Sequence, residues 1–204
     1  MLLFYSWRIK ADSIAKKDLI IYIHGWNSSG NARKAELLKK ELANNAEYEV
    51  ASYTLKSHPR EAIKQLTEII ESEKESRKVH LIGSSLGGYY AVYLAESLNL
   101  KAAMVNPAVW AYKIFENDRG ENLNPNTNEK YIIDQEWVDS LEEIFVETPD
   151  TKRYLVLLQT ADETLDYRYA EKYFSGAKTI IDQGGSHSFE DLESKIPEML
   201  AHFC

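Results

Sequence analysis

The stretch HLIGSSLGGYYA, His80 to Ala91, decides how this chain is read. An apolar run ends in Gly83-Ser84-Ser85-Leu86-Gly87-Gly88, and a helix-like run, YYAVYLAESL, begins at Tyr89. Ser85 is the centre of a G-x-S-x-G pattern. Ser84 is not, because Ile82 and Leu86 stand two residues to either side of it. The pattern marks a very tight strand-to-helix turn that holds its serine in a strained conformation at the tip. A side chain two residues before or after would collide with neighbouring backbone, and glycine removes the clash. Gly88 would let the new helix pack closely on an adjacent strand. With glycine at roughly 7% of residues, and serine similar, the pattern arises by chance in about one chain in fifteen of this length. The strand before it and the helix after it are the context that gives it meaning. A phosphate loop would need G-K-[ST] at its end, and none is present.

Working outward, strand and helix alternate. Asp18–His24 (DLIIYIH) is strand-like, and Asn31–Ala43 reads as a helix with Ala35, Leu38 and Leu42 on one face. Tyr48–Thr54 is rich in β-formers. Pro59 opens a second helix, where its missing N–H costs nothing, with Ile63, Leu66, Ile69 and Ile70 as the stripe. Lys78–Gly83 is a strand, followed by a helix over Leu86–Leu98. Leu100–Val105, Arg153–Gln159 and Ala177–Asp182 are further strands, and Leu165–Phe174 a further helix. Helical segments close the chain from Phe189, broken or kinked near Pro197. Short links between alternating elements predict an α/β fold around a mostly parallel twisted sheet flanked by helices, as a single domain over residues 1–204. Residues 106–150 read as an irregular insertion, with NPNTN in its middle and a short helical piece near Trp137–Phe145. Such an insertion is expected to act as a lid over the carboxyl edge of the sheet. Residues 1–9 are expected to add an edge strand.

Composition narrows the function. The chain has 204 residues, 44% hydrophobic and 27% charged, with a formal net charge of −8. That charge disfavours nucleic acid and anionic membrane as partners. No apolar run approaches the roughly 20 residues of a membrane span. The N-terminal MLLFYSWRIKADS lacks a leading basic region and is a poor signal peptide. With Cys204 the one cysteine, no intrachain disulfide forms, and a cytoplasmic location is expected. No H-E-x-x-H is present, so no metal is expected.

A nucleophilic serine needs a base, and the base an orienting acid. Of five histidines, His24 ends a strand and is placed to shape a loop, His58 precedes Pro59, and His80 lies inside a strand as a satisfied core residue. His202 is expected on a solvated helical end. His187 follows the last strand in Asp182-Gln183-Gly184-Gly185-Ser186-His187, a loop freed by paired glycines, and is the preferred base. Its bland reading is a polar turn residue. Asp162 stands in the first turn after RYLVLLQ and is the preferred acid; Glu163 is expected to be solvated, and for Asp166 helix capping is a sufficient explanation. An oxyanion hole needs two backbone N–H groups, one from the residue after the nucleophile and one from a loop after an earlier strand. Leu86 and Trp26, in His24-Gly25-Trp26-Asn27-Ser28-Ser29, are the candidates.

HGWNSS (24–29), IGSSLGGYYA (82–91), VNPAV (105–109), NPNTNEKY (124–131), LLQTADETLDYRYA (157–170) and GGSHSFE (184–190) stand in an order that resembles the α/β-hydrolase superfamily, and within it the small YqiA/YcfP-type esterases. The resemblance implies a three-layer α/β-hydrolase fold, with Ser85 as nucleophile, Asp162 as acid and His187 as base. It also implies hydrolysis of carboxylic acyl esters or thioesters through an acyl-enzyme, without a cofactor, on a small-molecule acyl ester substrate. Trp110 and Tyr112, with Phe115, Tyr131 and Trp137 beside them in the insertion, are the candidate lining of an apolar substrate pocket. Two alternatives stand beside this reading: an acyltransferase using the same three residues, and a non-catalytic binding protein on a hydrolase fold.

Overall fold

The computed structural model describes residues 16–204, so the edge strand expected over residues 1–9 lies outside the described residues. Six strands form one parallel sheet: β1 (Asp18–Ile23), β2 (Tyr48–Ser52), β3 (Val79–Ser85), β4 (Ala102–Pro107), β7 (Tyr154–Gln159) and β8 (Lys178–Asp182). Their order is β2-β1-β3-β4-β7-β8. A parallel sheet covered on both faces needs apolar side chains on both, which is why DLIIYI and YLVLLQ read as runs rather than alternations. The two faces separate by parity. Leu19, Ile21, Ile23, Leu81, Met104, Val156 and Leu158 pack under α2 (Pro59–Lys74), α3 (Leu86–Leu98) and α6 (Tyr167–Tyr173). Ile20, Tyr22, Ile82, Ala103, Val105, Leu155 and Leu157 pack under α1 (Arg33–Glu41) and α7 (Ile196–Phe203). The result is the three-layer α/β-hydrolase fold. No helix of the described residues is long and apolar enough to cross a membrane.

Local chemistry sets several boundaries. His58 caps α2, its Nδ1 accepting the Arg60 N–H, and Pro59 follows in the first turn. Pro197 starts α7 instead of kinking it: a short 3₁₀ turn, Leu192–Lys195, ends where the α-helix begins, and proline occupies the first turn where no hydrogen bond is lost.

The insertion differs from its reading. Residues 106–150 are not irregular. They hold α4 (Ala111–Phe115), an antiparallel hairpin of β5 (Gly120–Leu123) and β6 (Lys130–Ile133), and α5 (Gln135–Glu142). NPNTN is the hairpin turn, closed by Asn124 N–H to Glu129 O at 2.9 Å and Asn128 N–H to Asn124 O at 2.8 Å. The strands have four residues each and are mostly exposed, so burial imposes no alternation on their sequence.

Two histidines also depart from expectation. His80 is buried in β3, but neither ring nitrogen has a hydrogen-bond partner among the described residues. Its ring stacks on Phe203 at 4.7 Å, and burial lowers its pKa against the opposing pull of the Asp18 carboxylate, 3.6 Å from Nε2. His202 is half-buried rather than free in solvent: its Nε2 lies 2.9 Å from the Arg153 carbonyl, tying α7 to the start of β7.

The strand order places the site. The chain leaves β1 toward β2 on one side and leaves β3 toward β4 on the other, so the connections diverge between β1 and β3. Ligands bind in such a crevice, outside the carboxyl ends of the strands. Ser85 and the loop that begins at His24 both emerge there.

Candidate active site

Ser85 sits between β3 and α3 with φ 56° and ψ −125°, a strained backbone for a residue with a Cβ. Close approach explains the glycines around it. A Cβ on Gly83 would lie 2.5 Å from the Gly87 carbonyl oxygen, and one on Gly87 would lie 2.1 Å from the Ile23 oxygen and 2.5 Å from the His24 oxygen. One on Gly88 would meet Pro107 at 2.6 Å, so α3 rests on the end of β4. Ser84 is buried beneath the turn beside Tyr22.

His187 reaches Ser85 from the loop after β8. Its Nε2 is 3.1 Å from Ser85 Oγ, while its Nδ1 is 2.8 Å and 3.0 Å from the two Asp162 oxygens. The Asp162 side chain is 2% exposed, so its interaction with the imidazole is shielded from water. Asp166 is elsewhere: it caps α6 through the Arg168 N–H and pairs with the Arg168 guanidinium. Glu163 is exposed but not simply solvated. Its Oε2 accepts the His187 N–H at 2.9 Å, which holds its carboxyl below the usual range.

Two buried amides that the sequence reading passed over build the frame of this loop. Gln159, at the end of β7, accepts the N–H of Ser186 at 3.0 Å and of Glu190 at 2.9 Å, and donates to Glu190 O at 2.8 Å. Gly185 passes so close that a Cβ there would lie 2.0 Å from Gln159 Oε1. Asn106, in β4 with φ 42°, accepts the Gln159 N–H at 3.0 Å and donates to Ser186 O at 3.0 Å. Their signal was positional: each is a polar residue closing an apolar strand at the carboxyl edge, where buried polar groups must find partners.

The loop after β1 forms the other wall. His24 is buried and held on both sides, with Nδ1 2.8 Å from Gly25 O and Nε2 accepting the Leu55 N–H at 3.1 Å. Burial lowers its pKa, and it stays neutral. The hairpin grips this loop. Tyr131 Oη accepts the Trp26 Nε1–H at 2.7 Å and donates to Asn27 Oδ1 at 2.7 Å, and Asn124 donates to Ser28 O at 3.1 Å. Leu86 is the first residue of α3, so its N–H has no intrahelical acceptor.

Two clefts open here. One, about 360 Å³, is lined by Ser85, His187, Gly25, Trp26, Lys34 and Thr164 among others. The second, about 410 Å³, shares Thr164 and is walled by Val109, Trp110, Ile114, Leu165 and Tyr169. Trp110 therefore faces a cleft beside Ser85. Tyr112 does not: it packs edge-on against Phe145 at 5.5 Å, because residues two apart at a helix start project from different faces.

Comparison with known proteins gives a consistent frame. The model of a family described as "Uncharacterised protein family (UPF0227)" matches residues 19–204. The UPF0227 protein YcfP of Salmonella gallinarum is 24% identical over 189 residues, covering 90% of this chain and 97% of that protein. A UPF0227 protein of Citrobacter koseri matches to the same extent. Among solved structures, Est1E from Butyrivibrio proteoclasticus superposes with a TM-score of 0.72 at 18% identity, covering 93% of this chain and 90% of its own. A structure of Est1E with ferulic acid bound gives 0.71 at 17% identity, over 94% and 92%. At these identities the structures share the fold.

Proposed function

This chain belongs to the UPF0227 family, and from that premise we propose that it is a serine hydrolase acting on carboxylic acyl esters or thioesters through an acyl-enzyme. The observation that carries the reading is the unbroken line from Ser85 Oγ through His187 to Asp162, at 3.1 Å and 2.8 Å, with Ser85 on a strained turn at the mouth of a cleft. A core histidine or a capping aspartate would account for one of these contacts, not for both meeting a serine in that conformation.

In this reading His187 Nε2 takes the Ser85 proton as Oγ bonds to the ester carbonyl carbon, and the carbonyl oxygen becomes an oxyanion facing the N–H groups of Leu86 and Trp26. Asp162 holds the imidazole by Nδ1 and stabilises its cationic form. As the carbonyl reforms, the bond to the leaving oxygen breaks and His187 returns the proton to that oxygen. Water, deprotonated by the same nitrogen, then attacks the acyl carbon and releases Ser85 with the carboxylic acid. Every proton taken is returned, so no cofactor enters the scheme. The cleft walled by Trp110 and Tyr169 takes the acyl chain, and the insertion serves as its lid.

The test is reaction with a fluorophosphonate, which phosphonylates activated serines with loss of fluoride, followed by peptide mapping, together with release of phenol from short-chain aryl esters. Labelling at Ser85 with turnover supports the reading. An unlabelled, inert protein would favour a binding role on the same fold, and acyl transfer to added alcohols in place of water would favour a transferase.

A further inference from the structure

The cleft that holds Ser85 and His187 is also bordered by Arg33 and Lys34, consecutive residues in the first turn of α1. Arg60, Arg77, Arg119, Arg153 and Arg168 each pair with a carboxylate. Among the described residues Arg33 alone of the arginines does not, in a chain with 32 acidic against 24 basic residues. Lys34 donates to the Ser188 carbonyl at 3.0 Å and has no carboxylate partner among the described residues. Helix stability does not explain the pair, because cations in a first turn oppose the helix dipole. The nearby carboxylates are already engaged, Asp162 by the His187 ring and Glu163 by the His187 N–H. Two cations thus stand beside the serine with no direct carboxylate partner among the described residues; the Asp162 charge reaches Lys34 only at longer range.

We propose that Arg33 and Lys34 form a subsite for a carboxylate carried on the leaving group, so that the substrates are esters between an apolar acid and a short hydroxy-carboxylate. The proposal rests on the serine hydrolase reading. Its orientation follows from the proton path: His187 protonates the departing oxygen, so the leaving group lies on the His187 side, where Lys34 is anchored to the next residue, Ser188. The acyl chain then falls to the cleft beyond Thr164, whose walls are mostly apolar, with Lys113 and Asp166 at its border. Size limits the leaving group. A cleft of about 360 Å³ holds on the order of a dozen heavy atoms at roughly 30 Å³ each. An arginine fork meets a carboxylate with two parallel hydrogen bonds, which a lone lysine does not provide.

The experiment uses butyrate esters of three matched phenols: 3-hydroxybenzoate, 3-hydroxybenzamide and 3-hydroxyphenyl-trimethylammonium. Each kcat/KM is divided by the ester's rate with hydroxide. The expected order is anionic, neutral, cationic, with the anionic-to-neutral ratio about tenfold at low salt and falling as salt screens it. Arg33→Gln should lower that ratio at neutral pH and bring it close to one above about pH 9, where Lys34 has released its proton, while Lys40→Gln, on an exposed part of the same helix, should leave it unchanged. A ratio near one in the unaltered protein, or one that Arg33→Gln does not move, overturns the subsite while turnover of the neutral ester keeps the hydrolase reading. No turnover and no fluorophosphonate labelling of Ser85 sinks that reading and the subsite with it. If Ser85 labels but no ester turns over, protection from labelling by 3-hydroxybenzoate decides: Arg33-dependent protection supports the subsite, and its absence overturns it.

Discussion

Asp162 faces two ways: its Oδ2 lies 2.8 Å from His187 Nδ1, and its Oδ1 accepts the N–H groups of Thr164 and Leu165 at 2.8 Å each. One carboxylate thus shapes its own turn and orients the imidazole. Asp162→Asn keeps an oxygen for the turn but loses the charge and can present an amide to Nδ1–H. It should fold with little change in Tm and lose on the order of 10⁴ in kcat. Asp166→Ala removes only a cap and an exposed ion pair, so it should melt slightly earlier and keep most of its turnover. Measuring kcat and Tm for both variants separates the roles, and the reverse pattern would move the acid to Asp166.

Ser85→Ala should abolish turnover while leaving the fold intact, and Ser84→Ala should keep most activity, because Ser84 is buried beneath the turn. A third variant reads the strain. Ser85→Gly is equally inert but relieves a positive φ that costs about 1–3 kcal/mol, against the roughly 0.5–1 kcal/mol that glycine loses in chain entropy. It should therefore melt above Ser85→Ala in calorimetry. Equal melting temperatures would mean the turn holds no such strain.

Tyr131 is a positioning residue. Its hydroxyl is the single atom that joins Trp26 and Asn27 in the loop expected to supply an oxyanion donor. Tyr131→Phe leaves Trp26 Nε1–H and Asn27 Oδ1 without their partner. A misplaced donor acts on the transition state more than on bound ester, so kcat should fall about tenfold, the equivalent of 1.4 kcal/mol, with KM little changed. A rise in KM at constant kcat would place Tyr131 in substrate binding instead.

What was legible in the sequence follows the physics. Gly83, Ser85 and Gly87 announce the turn because the backbone there leaves no room for alternatives. The strands announce themselves because burial on both faces forces apolar runs. The β5–β6 hairpin was not legible, since exposed strands of four residues carry no periodic constraint. His80 was misjudged because a strand position tells of burial and not of partners. Asn106 and Gln159 were passed over because their partners are backbone atoms of the Ser186–Glu190 loop, which one-dimensional spacing does not reveal. Tyr112 and Trp110 are two residues apart and look alike in sequence, yet only Trp110 reaches a cleft.

The subsite carries its own pH signature. Burial, helped by the neighbouring Arg33 charge and opposed by Asp162, lowers the Lys34 pKa to about 8. Below pH 8 an anionic leaving group meets two cations, and above it one. The anionic-to-neutral ratio of kcat/KM should therefore step down through a midpoint near pH 8 to a lower plateau set by Arg33. Any protonation change in the steps common to both esters cancels in the ratio. Lys34→Gln should remove the step and leave the plateau, whereas Arg33→Gln should remove the plateau and leave a step. The same shift acts on stability. Between about pH 8 and the ordinary lysine value of 10.5 the unfolded chain binds the proton that the folded chain has released, so stability gained from this group rises with pH across that window. The Tm of the unaltered protein minus that of Lys34→Gln should accordingly become more positive from pH 7.5 to pH 10. A ratio that stays flat across pH 8, with a Tm difference that does not move, would mean that Lys34 keeps its proton and holds no titrating part in the cleft.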